Sequence, residues 1–294
     1  MKTILITGTS TGIGLAAAVS LGRAGHDVFA TMRNPSRSPE LRTLAEREHL
    51  PITILPLDVD DDTSVAAAVR KTLAERGHID VLVNNAGIGL LGSVEETSLD
   101  VFRATMETNY FGALRCIKAV LPGMRERRSG RIINISSVAG KFSAAGHGSY
   151  SASKFALEGL SDALAAEVRP YNIRVNVVEP GVIHTPIFDK LNDVKAQIYP
   201  GARRMSAIFA AALEHPVPAS VLGDQIRDIV GDDSWTVRYP GGPGAGDLIQ
   251  LRAALGDEQF VAWGALDDEA WCDYTHKTLG LDVRAHLAPG PALA

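Results

Sequence analysis

The chain has 294 residues, 46% of them hydrophobic, and a formal net charge of −5. This composition supports a large buried core and excludes general disorder, and the acidic balance argues against nucleic acid as a partner. Cys116 and Cys272 lie far apart without CxxC spacing, so neither a disulfide framework nor a metal cluster is expected. No stretch approaches the roughly 20 apolar residues of a membrane span, and no secretory signal is recognisable. We therefore expect a cytoplasmic protein.

Short apolar or β-branched runs alternate with longer amphipathic segments along the chain. The runs predict seven strands, which are TILIT at 3–7, DVFAT at 27–31, ITILP at 52–56, VLVN at 81–84, RIINI at 131–135, RVNVV at 174–178 and TVRY at 236–239. Such alternation is typical of a parallel sheet with helices on both faces. We therefore predict a doubly wound α/β fold, with its ligand site beyond the carboxyl ends of the strands.

The alternation lapses at two places. Residues 186–230 separate the sixth and seventh strands with a long helical insertion, which we interpret as a substrate-binding lid. Residues 246–294 follow the last strand and are predicted as a C-terminal helical extension. No internal repeat and no linker marks a second domain, so residues 1–294 are predicted to form one domain.

A glycine-rich loop, TGTSTGIG at residues 7–14, joins the first strand to a helix that begins near Ile13. Gly8, Gly12 and Gly14 permit a tight turn, close approach of the backbone to a pyrophosphate, and close packing of helix on strand. The amino end of the helix supplies N–H donors to the anion. Placement after the first strand favours a dinucleotide site over a purely structural turn.

The end of the second strand bears on which dinucleotide is bound. A site for NAD(H) usually has an acidic side chain there, whereas a site for NADP(H) offers an arginine to the 2′-phosphate. This strand is followed by Arg33, with no Asp or Glu beside it, which favours NADP(H) over NAD(H). Arg33 as an ordinary solvated loop residue is the alternative, and Arg37 is a second candidate.

Tyr150 and Lys154 begin an apolar-periodic helical segment and lie one turn apart on the same face. A free phenol has a pKa near 10, so an adjacent ammonium is needed to favour the phenolate near neutral pH. On spacing alone, a half-buried aromatic residue followed by an exposed lysine explains the pair equally well. Ser137, at the end of the fifth strand, can hold a substrate oxygen beside the phenol. Ser136 is the neighbouring competitor.

Together these motifs resemble the short-chain dehydrogenase/reductase family. The resemblance rests on the glycine loop, NNAG at 84–87, Asn109 in ETNYFGAL, ISS at 135–137, YSASK at 150–154 and PGVIHT at 180–185, in the family's order. It implies a Rossmann fold and an oxidoreductase. The segments VFATMRNP and VRYPGGPGA resemble the NADP-preferring branch of 17β-hydroxysteroid and retinol dehydrogenase-like enzymes.

The resemblance implies a catalytic set of Asn109, Ser137, Tyr150 and Lys154. Tyr150 corresponds to the general acid/base, and Ser137 to the residue that orients the substrate. Lys154 corresponds to the residue that binds the nicotinamide ribose and lowers the tyrosine pKa. Asn109 corresponds to the residue that holds the water of a proton relay at a helix irregularity.

The resemblance also implies the cofactor contacts. Asp58, with Val59 beside it, corresponds to the acceptor of the adenine amine, and Val182 and Thr185 correspond to contacts of the nicotinamide carboxamide. The implied set is Gly8, Ser10, Thr11, Gly12, Ile13, Gly14, Arg33, Asp58, Val59, Asn85, Ala86, Gly87, Tyr150, Lys154, Pro180, Gly181, Val182 and Thr185.

Apolar segments around the expected site suit an uncharged ketone or secondary alcohol of moderate to large size. The candidates are residues 88–93, Phe142, Ile187, Phe188, Ile198, Tyr199, Ile208 and Phe209. His147 and His184 flank the expected pocket, where contact with substrate is possible, but an ordinary loop histidine is the favoured interpretation of each. Arg203 and Arg204 could bind a carboxylate, but a solvated pair is favoured. The resemblance further implies a homodimer formed by the helices that contain Asn109 and Tyr150, with a tetramer as the alternative. A non-catalytic NADP(H)-binding sensor with the same fold is the competing function.

Overall fold

The strands of the sheet form from the short apolar runs of the sequence. The computed structural model describes residues 1–188 and 198–288. Most strand residues are buried because helices cover both faces of the sheet. The strands are β1 (Thr3–Ile6), β2 (Asp27–Met32), β3 (Ile52–Pro56), β4 (Val81–Asn84), β5 (Gly130–Ile135), β6 (Ile173–Pro180) and β7 (Arg238–Gly241).

The seven strands pair in the order β3-β2-β1-β4-β5-β6-β7, and every pairing is parallel. The predicted doubly wound, seven-stranded Rossmann fold is confirmed. The connections run outward in opposite directions from β1 and β4, so a crevice opens where the carboxyl ends of these two strands meet. Strand β7 begins two residues later than predicted and includes Pro240, which an edge strand tolerates.

The helices occupy the two faces and the carboxyl-end side of the sheet. Among the described residues they are α1 (Gly12–Arg23), α2 (Glu40–Arg47), α3 (Asp62–Arg76), α4 (Leu99–Met106), α5 (Gly112–Arg127), α6 (Gly148–Val168), α7 (Gly201–Ala212), α8 (Ala219–Gly231), α9 (Ala245–Ala254), α10 (Asp257–Gly264) and α11 (Asp268–Leu279). None of them, within residues 1–188 and 198–288, is long and apolar enough to cross a membrane.

Two hydrophobic clusters hold the layers together. Ile4 and Ile6 of β1 pack with α1 and α8 on one face, and Leu5 packs with α3, α5 and α6 on the other. This split follows from the alternation of side chains along a strand. The sheet is therefore buried on both faces, and the cavity of the protein lies at the carboxyl ends of its strands.

The segment predicted as one lid, residues 186–230, divides between two environments. Helix α8 covers the sheet, because its apolar residues Leu222 and Ile226 are fully buried against α1 and the strands. Helix α7 instead packs through Ala207 and Ala211 against Trp271 of α11. The lid interpretation therefore extends at most to the part before α8, and residues 189–197 of it lie outside the described residues.

The close approach of α8 to α1 requires a small residue at position 223. A Cβ there would lie 2.7 Å from the carbonyl carbon of Ala16, so the helices must separate to admit Gly223→Ala. We expect this substitution to lower the free energy of unfolding by about 1–3 kcal/mol, measured by chemical denaturation.

Gly231→Ala, in the same helix, is the matched control. A Cβ at position 231 meets no heavy atom of the described residues within 4 Å, so the free energy of unfolding should not fall. Equal losses in the two variants would contradict the packing explanation.

Candidate active site

A cavity of about 1890 Å³ lies beyond the carboxyl ends of the strands. Ligand pockets commonly measure about 300–1,000 Å³, so this one has room for a dinucleotide and a second molecule. The predicted site residues that line it are Gly8, Ser10, Thr11, Gly12, Ile13, Arg33, Asp58, Val59, Asn85, Ala86, Gly87, Ser137, Tyr150, Lys154, Pro180, Gly181, Val182 and Thr185. Gly14 and Asn109 lie behind this wall and support it.

The glycine loop is held against the end of β4 by Asn85. The Asn85 side-chain Nδ2 donates to the carbonyl oxygens of Thr7 and Gly8, each at 2.9 Å. A Cβ on Gly14 would lie 2.3 Å from this nitrogen, so residue 14 must be glycine for the bond to form. The loop conformation is therefore set by a contact between two strand ends.

The other two glycines adopt the left-handed backbone conformation in the loop. Gly8 has φ +70°, and a Cβ on it would lie 2.7 Å from the Cα of Ala86. Gly12 has φ +60° and begins α1. The preceding Thr11 makes no side-chain capping bond, so the first N–H groups of α1 are available to an anion. The loop has the open backbone donors that a pyrophosphate requires.

Arg33 follows the last residue of β2 and lines the same cavity with an exposed side chain. Arg37 lies in a short 3-10 turn and is not among the described lining residues. Asp58 follows β3, and its Oδ1 accepts a bond from the backbone N of Asp60 at 3.2 Å. A cation and a carboxylate thus line the cavity after β2 and β3, which lie on the same side of β1 in the sheet.

Tyr150 is half-buried and Lys154 is buried, one turn apart near the start of α6. The Lys154 Nζ lies 5.5 Å from the centroid of the Tyr150 ring and donates to the carbonyl oxygen of Ile135 at 2.8 Å. Lys154 is therefore anchored on the end of β5, with its charge beside the phenol. The alternative explanation of the pair is right about a half-buried tyrosine but wrong about an exposed lysine, because Lys154 is buried.

Burial governs the protonation of both groups in the free protein. It raises the pKa of Tyr150 to about 12, and the adjacent Ser137 side chain opposes this shift. It lowers the pKa of Lys154 to about 8, and the charge of Glu158 opposes that shift. Desolvation outweighs the opposing influences of Ser137 and Glu158, because charged forms are disfavoured in a buried site. The lowering of the tyrosine pKa by Lys154 stays a prediction.

Ser137 is placed beside the phenol by the turn that follows β5. Its Oγ accepts a bond from the backbone N of Ala139 at 3.1 Å and donates to the carbonyl oxygen of Pro180 at 3.5 Å. These bonds connect the fifth and sixth strand ends at the cavity wall. Ser136 is also buried, but its Oγ lies against Gly140, near Glu158.

Asn109 lies in a π-helical segment, Glu107–Phe111, between α4 and α5. The helix irregularity implied by the family resemblance is therefore present. The Asn109 side chain is clamped by Ile88, whose backbone N donates to Oδ1 at 2.8 Å and whose O accepts from Nδ2 at 2.9 Å. The Nδ2 also donates to Ser153 Oγ at 2.9 Å.

Ser153 and His147 both contact Tyr150, which the sequence analysis did not predict. Ser153 donates to the carbonyl oxygen of Tyr150 at 2.7 Å, which links Asn109 to the first turn of α6. His147 is buried and stacks on Tyr150 with ring centroids 4.7 Å apart, and burial lowers its pKa to about 4. The interpretation of His147 as an ordinary loop histidine is wrong. In the sequence, the only indication of this contact is the position of His147 three residues before Tyr150.

The cavity has an apolar end, and the C-terminal extension supplies several of the residues that line it. The predicted lining residues Phe142, Ile187, Phe188, Tyr199, Ile208 and Phe209 are present, whereas Ile198 is 70% exposed and outside the lining. The extension adds Leu248, Leu251, Phe260, Trp263 and Leu281, which the sequence analysis had not identified. Phe260 reaches Phe142 with ring centroids 6.3 Å apart.

Arg203 and Arg204 attach the extension to α7. Both donate to the carboxylate of Asp268 in α11, at distances of 2.7 to 3.1 Å. Arg204 is buried and also lies 5.2 Å from the Trp271 ring centroid. The interpretation of these arginines as a solvated pair is wrong, because the partner carboxylate lies more than 60 positions away in the sequence.

Comparisons with known proteins identify the family of this chain. A family model described as short chain dehydrogenase matches residues 2–196. The chain is 43% identical over 189 residues to a 3-ketodihydrosphingosine reductase of Bacteroides thetaiotaomicron, covering 64% of this chain and 66% of that protein. It is 42% identical over 205 residues to retinol dehydrogenase 8 of Bos taurus, covering 68% and 65%. Both matches span just under two thirds of the relative's length.

Solved structures share the fold over most of the chain. A short-chain dehydrogenase from Streptomyces avermitilis is 31% identical, with a TM-score of 0.75 over 90% of this chain and 98% of that one. A gluconate 5-dehydrogenase from Burkholderia cenocepacia in complex with NADP and tartrate is 26% identical, with a TM-score of 0.72 over 84% and 95%. A Burkholderia phymatum structure in complex with NAD, 21% identical with a TM-score of 0.76 over 86% and 93%, shares the fold alone.

The matched residues 2–196 carry the glycine loop, Asn109, Ser137, Tyr150 and Lys154. The relatives named retinol dehydrogenase 8 and 17-beta-hydroxysteroid dehydrogenase type 1 are each at least 40% identical over the aligned region. The chain belongs to the short-chain dehydrogenase/reductase family of oxidoreductases and resembles its retinol and steroid dehydrogenase-like branch.

Proposed function

We propose that this protein transfers a hydride between NADP(H) and a ketone or secondary alcohol, with Tyr150 as general acid/base. The proposal rests on one observation: a single cavity is lined by the glycine loop and by Ser137, Tyr150 and Lys154. A binding module needs only the loop, whereas proton transfer needs a positioned acid, which favours an enzyme over a non-catalytic sensor.

The residues of the cavity fit a dinucleotide. The N-cap Thr11 makes no side-chain capping bond, which leaves the first N–H groups of α1 to an anion, and a Cβ on Gly8 would collide with Ala86. In our proposal the loop holds the pyrophosphate, Asp58 with Val59 holds the adenine, and residues 180–185 hold the nicotinamide end. When bound, this cofactor supplies or accepts the hydride, and the protein residues supply orientation and the proton.

In the reductive direction Ser137 and Tyr150 bind the substrate oxygen. As the hydride reaches the carbonyl carbon, the phenol O–H breaks and its proton passes to the carbonyl oxygen, which leaves an alcohol and a phenolate. Lys154 stabilises this phenolate by its charge, since the phenol alone is a weak acid in a buried site. The Asn109 and Ser153 bonds hold the first turn of α6 in place during this step.

Arg33 supports NADP(H) as the cofactor. Its exposed guanidinium is the cationic side chain at the end of β2, where a 2′-phosphate would lie. No acidic side chain occupies the end of β2 or the position after it. Because solved relatives contain either dinucleotide, this local charge is the observation that favours NADP(H).

The apolar end of the cavity supports a lipophilic substrate of moderate to large size. Phe142, Phe209 and Phe260 face it together with leucines of α9. Such a surface favours burial of hydrocarbon, while the polar groups are concentrated at Ser137 and Tyr150. We therefore propose a steroid-, retinoid- or polyketide-like ketone or alcohol.

We further propose a cytoplasmic homodimer, with a tetramer as the alternative. Both described cysteines are free and buried, as in proteins of reducing compartments. Phe111 and Phe155 lie on the helices implied as the dimer surface and are 42% and 46% exposed. Large exposed aromatic side chains on neighbouring helices are a feature of protein interfaces.

Tyr150→Phe should lower turnover by about 10²- to 10⁴-fold, because the phenyl ring carries no proton to transfer. NADPH affinity should be largely retained, measured by fluorescence titration. Turnover is followed by NADPH absorbance with a panel of apolar ketones graded in size. The control Tyr199→Phe, at another tyrosine lining the cavity, should retain turnover. Full activity of Tyr150→Phe would contradict the mechanism, and no turnover by the native protein would favour the sensor.

Arg33→Ala should weaken NADPH binding by at least about tenfold and leave NADH binding unchanged, since one phosphate contact is lost. Both affinities are measured by titration of cofactor fluorescence. Arg37→Ala removes a neighbouring exposed charge that is not among the described lining residues and is the control. Equal effects of the two substitutions on NADPH would refute the assignment of Arg33.

Phe155→Asp should convert the dimer to a monomer, because it places a charge in the apolar centre of the proposed interface. Sedimentation velocity measures the change. Val261→Asp, at a residue that is 71% exposed on the C-terminal extension, is the control. A native protein that sediments as a monomer would exclude the proposed assembly.

A further inference from the structure

A cluster of two buried glutamates and one exposed aspartate lies near the active-site lysine. Glu158 of α6 and Glu179 of β6 are 5% and 2% exposed, and Asp162 follows one turn after Glu158. Arg238 of β7 faces all three carboxylates. Its Nε lies 3.1 Å from Glu158 and 3.4 Å from Glu179, and its Nη2 lies 2.6 Å from Asp162.

The cluster holds more negative than positive charge. Three carboxylates share the guanidinium of Arg238, and Lys141, in the turn after β5, adds a second positive influence on Glu179. The Oε1 atoms of Glu158 and Glu179 make no hydrogen bond with the described residues. A buried surplus of carboxylates must be compensated, either by a proton or by another nearby cation.

Glu179 is the carboxylate better placed to hold a proton. Burial, and then the charge of Glu158, raises its pKa. Glu158 instead accepts a hydrogen bond from the Arg238 guanidinium through Oε2 at 3.1 Å. Of the three carboxylates, that of Glu158 is the one a single helical turn from Lys154.

Lys154 is the other cation beside Glu158. The two residues are four positions apart on α6 and both are buried, so their side chains share one face of the helix. Lys154 faces the Tyr150 ring on its own helix and the backbone oxygen of Ile135 on β5, and neither is an anion in the free protein. The charge of Glu158 is the influence that opposes the desolvation of this lysine.

We propose that Glu158 is a positioning residue that acts through Lys154, keeping the lysine an ammonium beside the phenol. Charges separated by a helical turn in a buried site interact strongly, because little water screens them. The effect on turnover rests on the proposed function, whereas the effect on lysine protonation does not. Arg238 holds the carboxylate in place without neutralising it fully.

The test is the pKa of Lys154 in Glu158→Gln, followed by NMR of isotope-labelled lysine side chains in the full-length protein. Lys154→Arg identifies the signal. Removal of the opposing negative charge should lower the pKa of Lys154 by about one unit from its value in the native protein. In the reductive reaction, the fall of kcat/KM on raising the pH should move to lower pH by the same amount, since a neutral lysine cannot stabilise the phenolate.

Asp162→Asn is the matched control. Asp162 bonds the same guanidinium, but it is 56% exposed in its side chain and one turn farther from Lys154, so the pKa of Lys154 should stay unchanged. Glu158→Met, which also removes the charge, repeats the test if the glutamine variant does not fold. An unchanged pKa of Lys154 in the folded Glu158 variant, or an equal shift in Asp162→Asn, overturns the inference. A shift in a protein without reductase activity supports it and contradicts only the proposed reaction.

Discussion

The contact between the glycine loop and the end of β4 is the constraint on which the site depends. Asn85 ties the carbonyl oxygens of Thr7 and Gly8, and the absence of a side chain at Gly14 makes room for that bond. This contact brings the amino end of α1 to the crevice between β1 and β4. The chain winds outward in both directions from these strands, so the loops that follow the strands on either side meet at this crevice.

Helix α6 links the chemistry of the cavity to charges buried beneath it. Its first turn presents Tyr150 to the cavity, its second buries Lys154 on the end of β5, and its third buries Glu158 against Arg238. A rigid helix keeps these three groups at fixed separations, which is the arrangement that electrostatic preorganisation requires. The cost of burying the carboxylates is offset in part by the guanidinium of β7.

The C-terminal extension gives the cavity its apolar end. Helix α11 is fastened to α7 by the Arg203 and Arg204 bonds to Asp268, and α10 contacts the loop after β5 through Phe260. The polar and the apolar parts of the cavity thus come from opposite ends of the chain. Under the proposed function, variation in the extension would alter substrate choice without disturbing the proposed proton-transfer groups.

Most of the fold and the site motifs were predictable from the sequence, because they depend on short-range patterns. Apolar runs of strand length, a glycine loop directly after β1, and Tyr150 with Lys154 one helical turn apart are all visible in consecutive residues. The family resemblance extended that prediction to Asn109, whose π-helical segment is present. The sequence by itself therefore determined the architecture and the candidate catalytic groups.

Only the tertiary structure decided which charges and surfaces meet. Arg203 and Arg204 appear solvated in the sequence because Asp268 is far along the chain, and His147 appears ordinary until it stacks on Tyr150. In the sequence, α8 cannot be told apart from a lid helix, because both kinds of helix are amphipathic. In the structure, the apolar face of α8 covers the sheet. Burial, which raises the pKa of Tyr150 and lowers that of Lys154, is likewise a property of the whole fold, since desolvation depends on every neighbour that excludes water.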